Sequence, residues 1–262
     1  PSRQMAELVE YEGIGLTRTI GRGYAVGITD YQGLGTPGTH TYVARGAQGH
    51  AVLDMARAAR NLQGSGVTSS TPVGLMGYSQ GGGAAASAAE LAATYAPELA
   101  IKGSAIGAPT ADLASVGANI DSSFYFAFAT FALLGVAQDA GIDPKPYLNA
   151  DGVALASKVE GACVFDLFDY SYKDSRRYTA DGSSLTELLG REPFASVVEE
   201  QRIGRRTPNA PVVINHAVAD DVIPYAGGKQ LGSDWCDRGT RVTFNAGITP
   251  THLGGFLPHV EK

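Results

Sequence analysis

"GLMGYSQGGGAAASAAELAATYAPEL" (residues 74–99) sets one serine among five glycines and then runs straight into alanines. The residues leading in, "TPVGLMGYS", are short and apolar and read as a strand, whereas the alanine-rich run that follows reads as a helix. Between them Gly77-Tyr78-Ser79-Gln80-Gly81 spells G-x-S-x-G. Strand, tight turn and helix are the context in which that motif presents a nucleophile. The serine sits on a sharp turn with strained backbone angles, and its hydroxyl projects from the end of the sheet. The residues two before and two after it are expected to approach each other and the neighbouring strands, so only small residues fit at 77 and 81. Gly82, Gly83 and the alanines allow the helix to pack tightly on the sheet. Its positive end then lies where negative charge develops. A chance G-x-S-x-G in a Gly-rich chain would lack these flanks.

Working outward, strand-like and helix-like segments alternate. "RQMAELVEYEGIGLTRTI" (3–20) reads as one helix. "GYAVGITD" (23–30) reads as a strand that runs into the Gly-rich loop "YQGLGTPGTH". "GAQGHAVLDMARAARNL" (46–62) reads as a helix, "IKGSAIGA" (101–108) as a strand, and "PNAPVVINHAVADD" (208–221) as a strand ending in an acidic turn. "VTFNAG" (242–247) is the last strand. Apolar strands separated by helices predict an α/β fold with a mainly parallel sheet covered on both faces.

Between residues 108 and 208 the rhythm breaks. This block holds an aromatic-rich helix (Phe124, Tyr125, Phe126, Phe128, Phe131), a turn marked by Pro144 and Pro146, and charged helical pieces. It is too long for a loop in a compact sheet. The expected organisation is a core of residues 1–108 and 208–262 with a helical cap of residues 109–207. Part of the aromatic set must pack the cap itself. The remainder, Phe124, Phe126, Phe128 and Phe131, are candidate substrate contacts together with Tyr31 and Tyr78.

Composition narrows the chemistry. The 262 residues carry a formal charge of −6, and no basic cluster is present, so nucleic acid is not an expected partner. The longest apolar run, "FYFAFATFALLGVA", is shorter than the roughly 20 residues a membrane span needs. No signal-peptide pattern opens the sequence. Two cysteines, Cys163 and Cys236, form no Cys/His cluster, so no metal site and no cofactor is expected.

A serine hydroxyl needs a base. On this type of fold the partners follow in the order Ser, Asp or Glu, His. His40 and His50 precede Ser79 and fail that order. His216 ends the strand "PVVINH" and reads as structural. His252, in the loop "ITPTHLGG" after the last strand, is the candidate base, with His259 as the fallback. "AVADDVIPY" offers Asp220 and Asp221 as the acid. Asp220 is preferred, because Asp221 is then expected to face solvent or cap the next helix. The oxyanion donors fall to the N–H of Gln80, after the nucleophile, and to the loop of residues 30–35 that faces it.

"GYSQGG", "DDVIPY" and "THLGG", with the long insertion between the first two, resemble the secretory lipase family, and the resemblance extends over most of the chain. "EYEGIGLTRTIGRGYAVGITDYQGLG" is similar to that family's segment leading to its oxyanion loop. The resemblance implies an α/β-hydrolase with a helical cap that cleaves carboxylic esters, triacylglycerols included. Its catalytic residues would be Ser79, Asp220 and His252, with oxyanion donors at Asp30 and Gln80 and no cofactor. It also implies export from the cytoplasm, a lipid or small-molecule ester as partner, and transient contact with a lipid interface. An acyltransferase or amidase on the same triad, or a non-catalytic binding module, are the rival readings. The chain looks like a family member without its N-terminal segment, so a reduced sheet of about five or six strands with a less covered edge is expected. The counterpart of Cys163 looks set to pair with a cysteine before the first helix, which argues against a Cys163–Cys236 bond.

Overall fold

The computed structural model describes residues 2–7, 12–160, 162 and 169–261. Its centre is a parallel sheet in the order β1 (Val73–Tyr78), β2 (Ile101–Gly107), β3 (Val212–Ala219), β4 (Val242–Pro250). Four strands are found among the described residues, fewer than the five or six expected. The difference arises at residues 23–30, which read as a strand but pair with none. A strand exists through its ladder, and apolar composition alone does not supply the neighbour. Tyr24, Val26 and Ile28 of this segment are exposed. Gly27 packs so closely on Met55 that an added Cβ would lie 2.9 Å from its Cε.

The helices follow the expected alternation around the sheet. The single helix read over residues 3–20 is instead α1 (Ser2–Ala6) and α2 (Gly13–Gly21), separated in part by residues outside the description. α3 (Arg45–Asn61) packs on α4 (Gln80–Tyr95), which follows β1 directly. The core lies between α4 and the sheet, where Ala85, Ala86, Ala88, Ala89 and Ala92 meet Leu75, Ile106 and Ile214. Small side chains let the helix axis approach the strands, as the alanine run suggested. α10 (Tyr225–Asp237) links β3 to β4 and buries Leu231 and Trp235 in the same core. The short α11 (Phe256–Glu261) ends the described chain.

Between β2 and β3 the described chain adds no strand to the sheet. It forms α5 (Leu113–Ile120), α6 (Phe126–Ala140), α7 (Ala150–Val159), α8 (Leu185–Leu189) and α9 (Phe194–Glu200). These helices have apolar clusters of their own, such as Leu133, Ala137, Leu188 and Phe194. α8 begins with a reciprocal capping box between Ser184 and Glu187, which satisfies its first N–H groups. Cys236 carries a free, exposed thiol. Cys163 lies outside the described residues.

Candidate active site

Three strand ends converge at the carboxyl edge of the sheet, the edge where parallel α/β sheets carry their chemistry. Ser79 follows β1, Asp220 follows β3 and His252 follows β4. Ser79 has φ 58° and ψ −118°, the strained turn the motif calls for. Its N–H donates to the Gly107 carbonyl at the end of β2 (3.0 Å), which pins the turn to the neighbouring strand. An added Cβ at Gly77 would lie 2.1 Å from the Gly81 carbonyl oxygen, so glycine is required there. Gly81 itself is not crowded, contrary to expectation: a Cβ there would meet nothing within 4 Å. Residues 77 and 81 do approach each other, but the close approach to the neighbouring strand is made one residue later, where Gly82 faces the Gly107 carbonyl.

Asp220 and His252 meet directly. His252 Nδ1 lies 2.7 Å from Asp220 Oδ2, and the Asp220 carboxylate has no exposed surface. Its other oxygen accepts the N–H groups of Val222 (2.9 Å) and Ile223 (2.8 Å). Burial alone would raise the pKa of this group. Hydrogen bonds from His216, His252 and the Ile223 N–H outweigh burial and hold the carboxyl well below the usual carboxylate range. An ionised acceptor at Nδ1 fixes the proton on that nitrogen and leaves Nε2 free to accept one.

Ser79 reaches this pair through its neighbour. Tyr78 donates its hydroxyl to the His252 carbonyl (2.6 Å), and the two rings lie 5.1 Å apart. Among the described residues Ser79 Oγ has no hydrogen bond to His252. Such bonds are often long before substrate binds. Tyr78, a candidate substrate contact, therefore spends its polar atom on the histidine backbone.

Gln80 is the first residue of α4, and its N–H has no acceptor within the helix. Asp30 is half-buried, and its side chain accepts the Ser2 N–H (2.8 Å). Tyr31, next to it, has φ 61° and stacks on His40. His40 joins the two candidate oxyanion elements. Its Nδ1–H donates to the Gln32 carbonyl (2.9 Å), and its Nε2 accepts from the Gln80 side-chain amide (3.2 Å). Burial pushes His40 below the ordinary histidine range, which suits that acceptor role.

The aromatic residues of the insertion divide. Phe126 is buried with Leu155 and Val159 and stacks on Tyr178, so it packs the helices rather than the site. It also borders an apolar cavity of about 40 Å³ with Leu133, Leu155 and Leu185, which none of Ser79, Asp220 and His252 lines. Phe128 and Phe131 are half-buried and face Tyr42, whose ring neighbours His40. Phe124 is exposed beside Tyr125 and Tyr172.

Two residues near the site, His40 and Asp221, escaped the sequence reading in part, and a third, His216, keeps the structural role read for it. His40 fails the triad order, although its place beside the Gly-rich loop was a usable signal. His216, read as structural, is fully buried, donates Nε2–H to the Ile223 carbonyl (3.0 Å) and lies 3.4 Å from Asp220 Oδ2. Asp221 is exposed, as expected, and does not cap α10; its Oδ1 also accepts the His252 N–H (2.8 Å).

Residues 1–259 match the secretory lipase family. The chain belongs to the secretory lipase family. Among its relatives there, "Secreted triacylglycerol lipase LIP7" of Malassezia globosa is 30% identical over 251 residues, which cover 93% of this chain and 53% of that protein. The Mycobacterium tuberculosis relative "Probable inactive lipase MT1628" is 25% identical over 256 residues, covering 96% and 56%. The solved structure of Candida antarctica lipase A aligns with a TM-score of 0.71 at 28% identity, over 81% of this chain and 51% of that one. The fold is that of the α/β-hydrolases, as in these secretory lipases. The chain spans about half the length of the curated relatives it matches.

Proposed function

We propose that the protein hydrolyses carboxylic esters, lipid esters included, through a Ser79–His252–Asp220 triad and a covalent acyl-enzyme. The observation that carries this reading is the 2.7 Å contact between His252 Nδ1 and the buried Asp220 carboxylate, beside a serine in a strained strand–helix turn. His252 Nε2 takes the Ser79 proton as Oγ attacks the ester carbonyl. Asp220 stabilises the imidazolium that forms. The Gln80 and Asp30 N–H groups receive the oxyanion. His252 then protonates the departing alcohol, and water repeats the sequence on the acyl-enzyme. Residues 1–108 and 208–262 supply this machinery, and residues 109–207 form a cap that presents Phe128 and Phe131 toward it. Relatives named as secreted triacylglycerol lipases support lipid esters as the substrate class and a place outside the cytoplasm.

One relative carries the name of an inactive lipase, so turnover is the first quantity to measure. A fluorophosphonate should add to Ser79 once per chain by intact mass, and an ester panel of increasing acyl length should be hydrolysed. Ser79→Ala should lower kcat by roughly 10⁴-fold or more with the fold intact. Unlabelled wild-type protein with no turnover would establish the non-catalytic reading instead, and faster transfer to added alcohol than to water would establish the acyltransferase.

A further inference from the structure

We infer that Asp221 is a positioning residue, which holds the main chain of the histidine base and ties it to the helical cap through Tyr125. The inference rests on the triad reading above. It starts from Thr251, the residue before His252, which has φ 65°. A β-branched residue in the left-handed region persists only where its surroundings over-determine it. The surroundings here are specific. The Thr251 N–H donates to the Ala219 carbonyl (3.2 Å). The His252 carbonyl accepts from Tyr78 (2.6 Å) and from the Gly255 N–H (3.1 Å). The N–H of His252, a buried residue, has to be satisfied as well. Its partner is Asp221 Oδ1 at 2.8 Å. An ionised acceptor makes this one of the stronger bonds of the turn.

The second oxygen of the same carboxylate looks the other way. Asp221 Oδ2 accepts the hydroxyl of Tyr125, immediately before α6, at 3.3 Å. Asn119 of α5 donates its side-chain amide to the carbonyls of Asp221 (3.2 Å) and Val222 (3.0 Å) and so holds the backbone from which the carboxylate reaches. Tyr125 in turn packs against Ile120, Val222 and Ile223 and stacks on Phe128. A continuous chain of contacts therefore runs from Phe128, through Tyr125 and Asp221, to the backbone of His252. Adjacent aspartates grip one histidine at two places: Asp220 at the ring, Asp221 at the main chain. A shift of α6 would be felt at the base as well as at Phe128.

The test uses the whole chain, with steady-state kinetics on a soluble ester and the second-order rate of fluorophosphonate addition at Ser79. Asp221→Ala should lower both kcat and the labelling rate on the order of 100-fold, the scale of a catalytic group misplaced by about 1 Å, with KM within about threefold. Asp221→Asn keeps an oxygen for the His252 N–H and should recover most of that loss, to within about fivefold of wild type. Tyr125→Phe should cost about three- to tenfold alone and under twofold in the Asp221→Ala background, because coupled groups do not add. Thermal unfolding of each variant reports the fold, and if Asp221→Ala does not fold, Asp221→Asn and Tyr125→Phe carry the test. Asp221→Ala at wild-type rate, Asp221→Asn as impaired as Asp221→Ala, or fully additive losses would overturn the inference while leaving the triad intact. Wild-type protein that does not label at Ser79 would bring down both readings together.

Discussion

A methyl group added at Gly82 would lie 2.2 Å from the Gly107 carbonyl oxygen, whereas at Gly81 it would meet open space. The two residues are adjacent in "SQGGG", and the motif singles out the wrong one. G-x-S-x-G is legible because it is local. The crowding is tertiary, made by β2 against the first turn of α4. Gly81→Ala should therefore leave the unfolding midpoint unchanged or raise stability by up to about 1 kcal/mol through helix propensity. Gly82→Ala should lower it by more than about 2 kcal/mol, because backbone has to move. Chemical denaturation of the two variants decides the matter, and equal stability would show that β2 yields easily. The candidate acid was readable in the same limited way. "ADD" after a strand offered two candidate carboxylates and favoured Asp220. The task of Asp221 depends on a backbone N–H 31 residues away, which no local pattern encodes.

Among the elements, α4 contains the least expected side chain. Glu90 stands in an alanine-rich helix, yet its side chain has no exposed surface. Its Oε1 accepts the Trp235 indole N–H (3.0 Å) and the N–H groups of Gly204 (2.8 Å) and Arg206 (3.1 Å), and its Oε2 pairs with Arg45 (3.5 Å). One carboxylate thus ties α4 to α3, to α10 and to the chain that leads into β3. Glu90→Ala leaves three N–H donors, two of them buried, and a buried guanidinium without it, and should cost on the order of 3–5 kcal/mol in urea unfolding. Glu90→Gln keeps an acceptor and should cost clearly less. If both cost under about 1 kcal/mol, the hub is not structural. The aromatic helix teaches a related lesson. Its composition suggested a cap, and α6 does form, but Phe126 turns into the helices, Phe128 meets Tyr42, and Phe131 touches both Tyr42 and the cluster around Phe126. Helical spacing alone does not say which face meets which neighbour. Residues 23–30 were read as a strand from their apolar content and lacked a partner, which is a property of the sheet and not of the segment.

For the molecule as a whole, α11 carries one of the groups that make stability depend on acid, as does the half-buried His40. His259 is buried under the sheet, where Asn215 donates its side-chain amide to His259 Nδ1 (3.1 Å) and Asn245 donates to Asn215 (2.9 Å). Burial pushes its pKa down to about 4. The unfolded chain returns the group to about 6.5 and binds a proton that the folded chain refuses. Its stabilisation is therefore complete above about pH 6.5 and is lost as pH falls from there through about 4, a change on the order of 3 kcal/mol. The unfolding midpoint should fall between pH 7 and pH 4.5. A His259→Gln variant, even if weaker at pH 7, should show a flatter profile, and an unchanged slope would reject the assignment. The order β1-β2-β3-β4 has a further consequence. Helices and the β1–α4–β2 unit close within short stretches of chain. The β2–β3 ladder instead joins Ser104 to Val212 across the whole insertion, and only then do the Asp220 and His252 turns come beside Ser79. Contacts so distant along the chain form late, after the local ones. During refolding from denaturant, helical circular dichroism should recover first, and reactivity of Ser79 toward a fluorophosphonate should return with the slowest phase. Labelling of Ser79 then serves as a clock for the last pairing of the sheet.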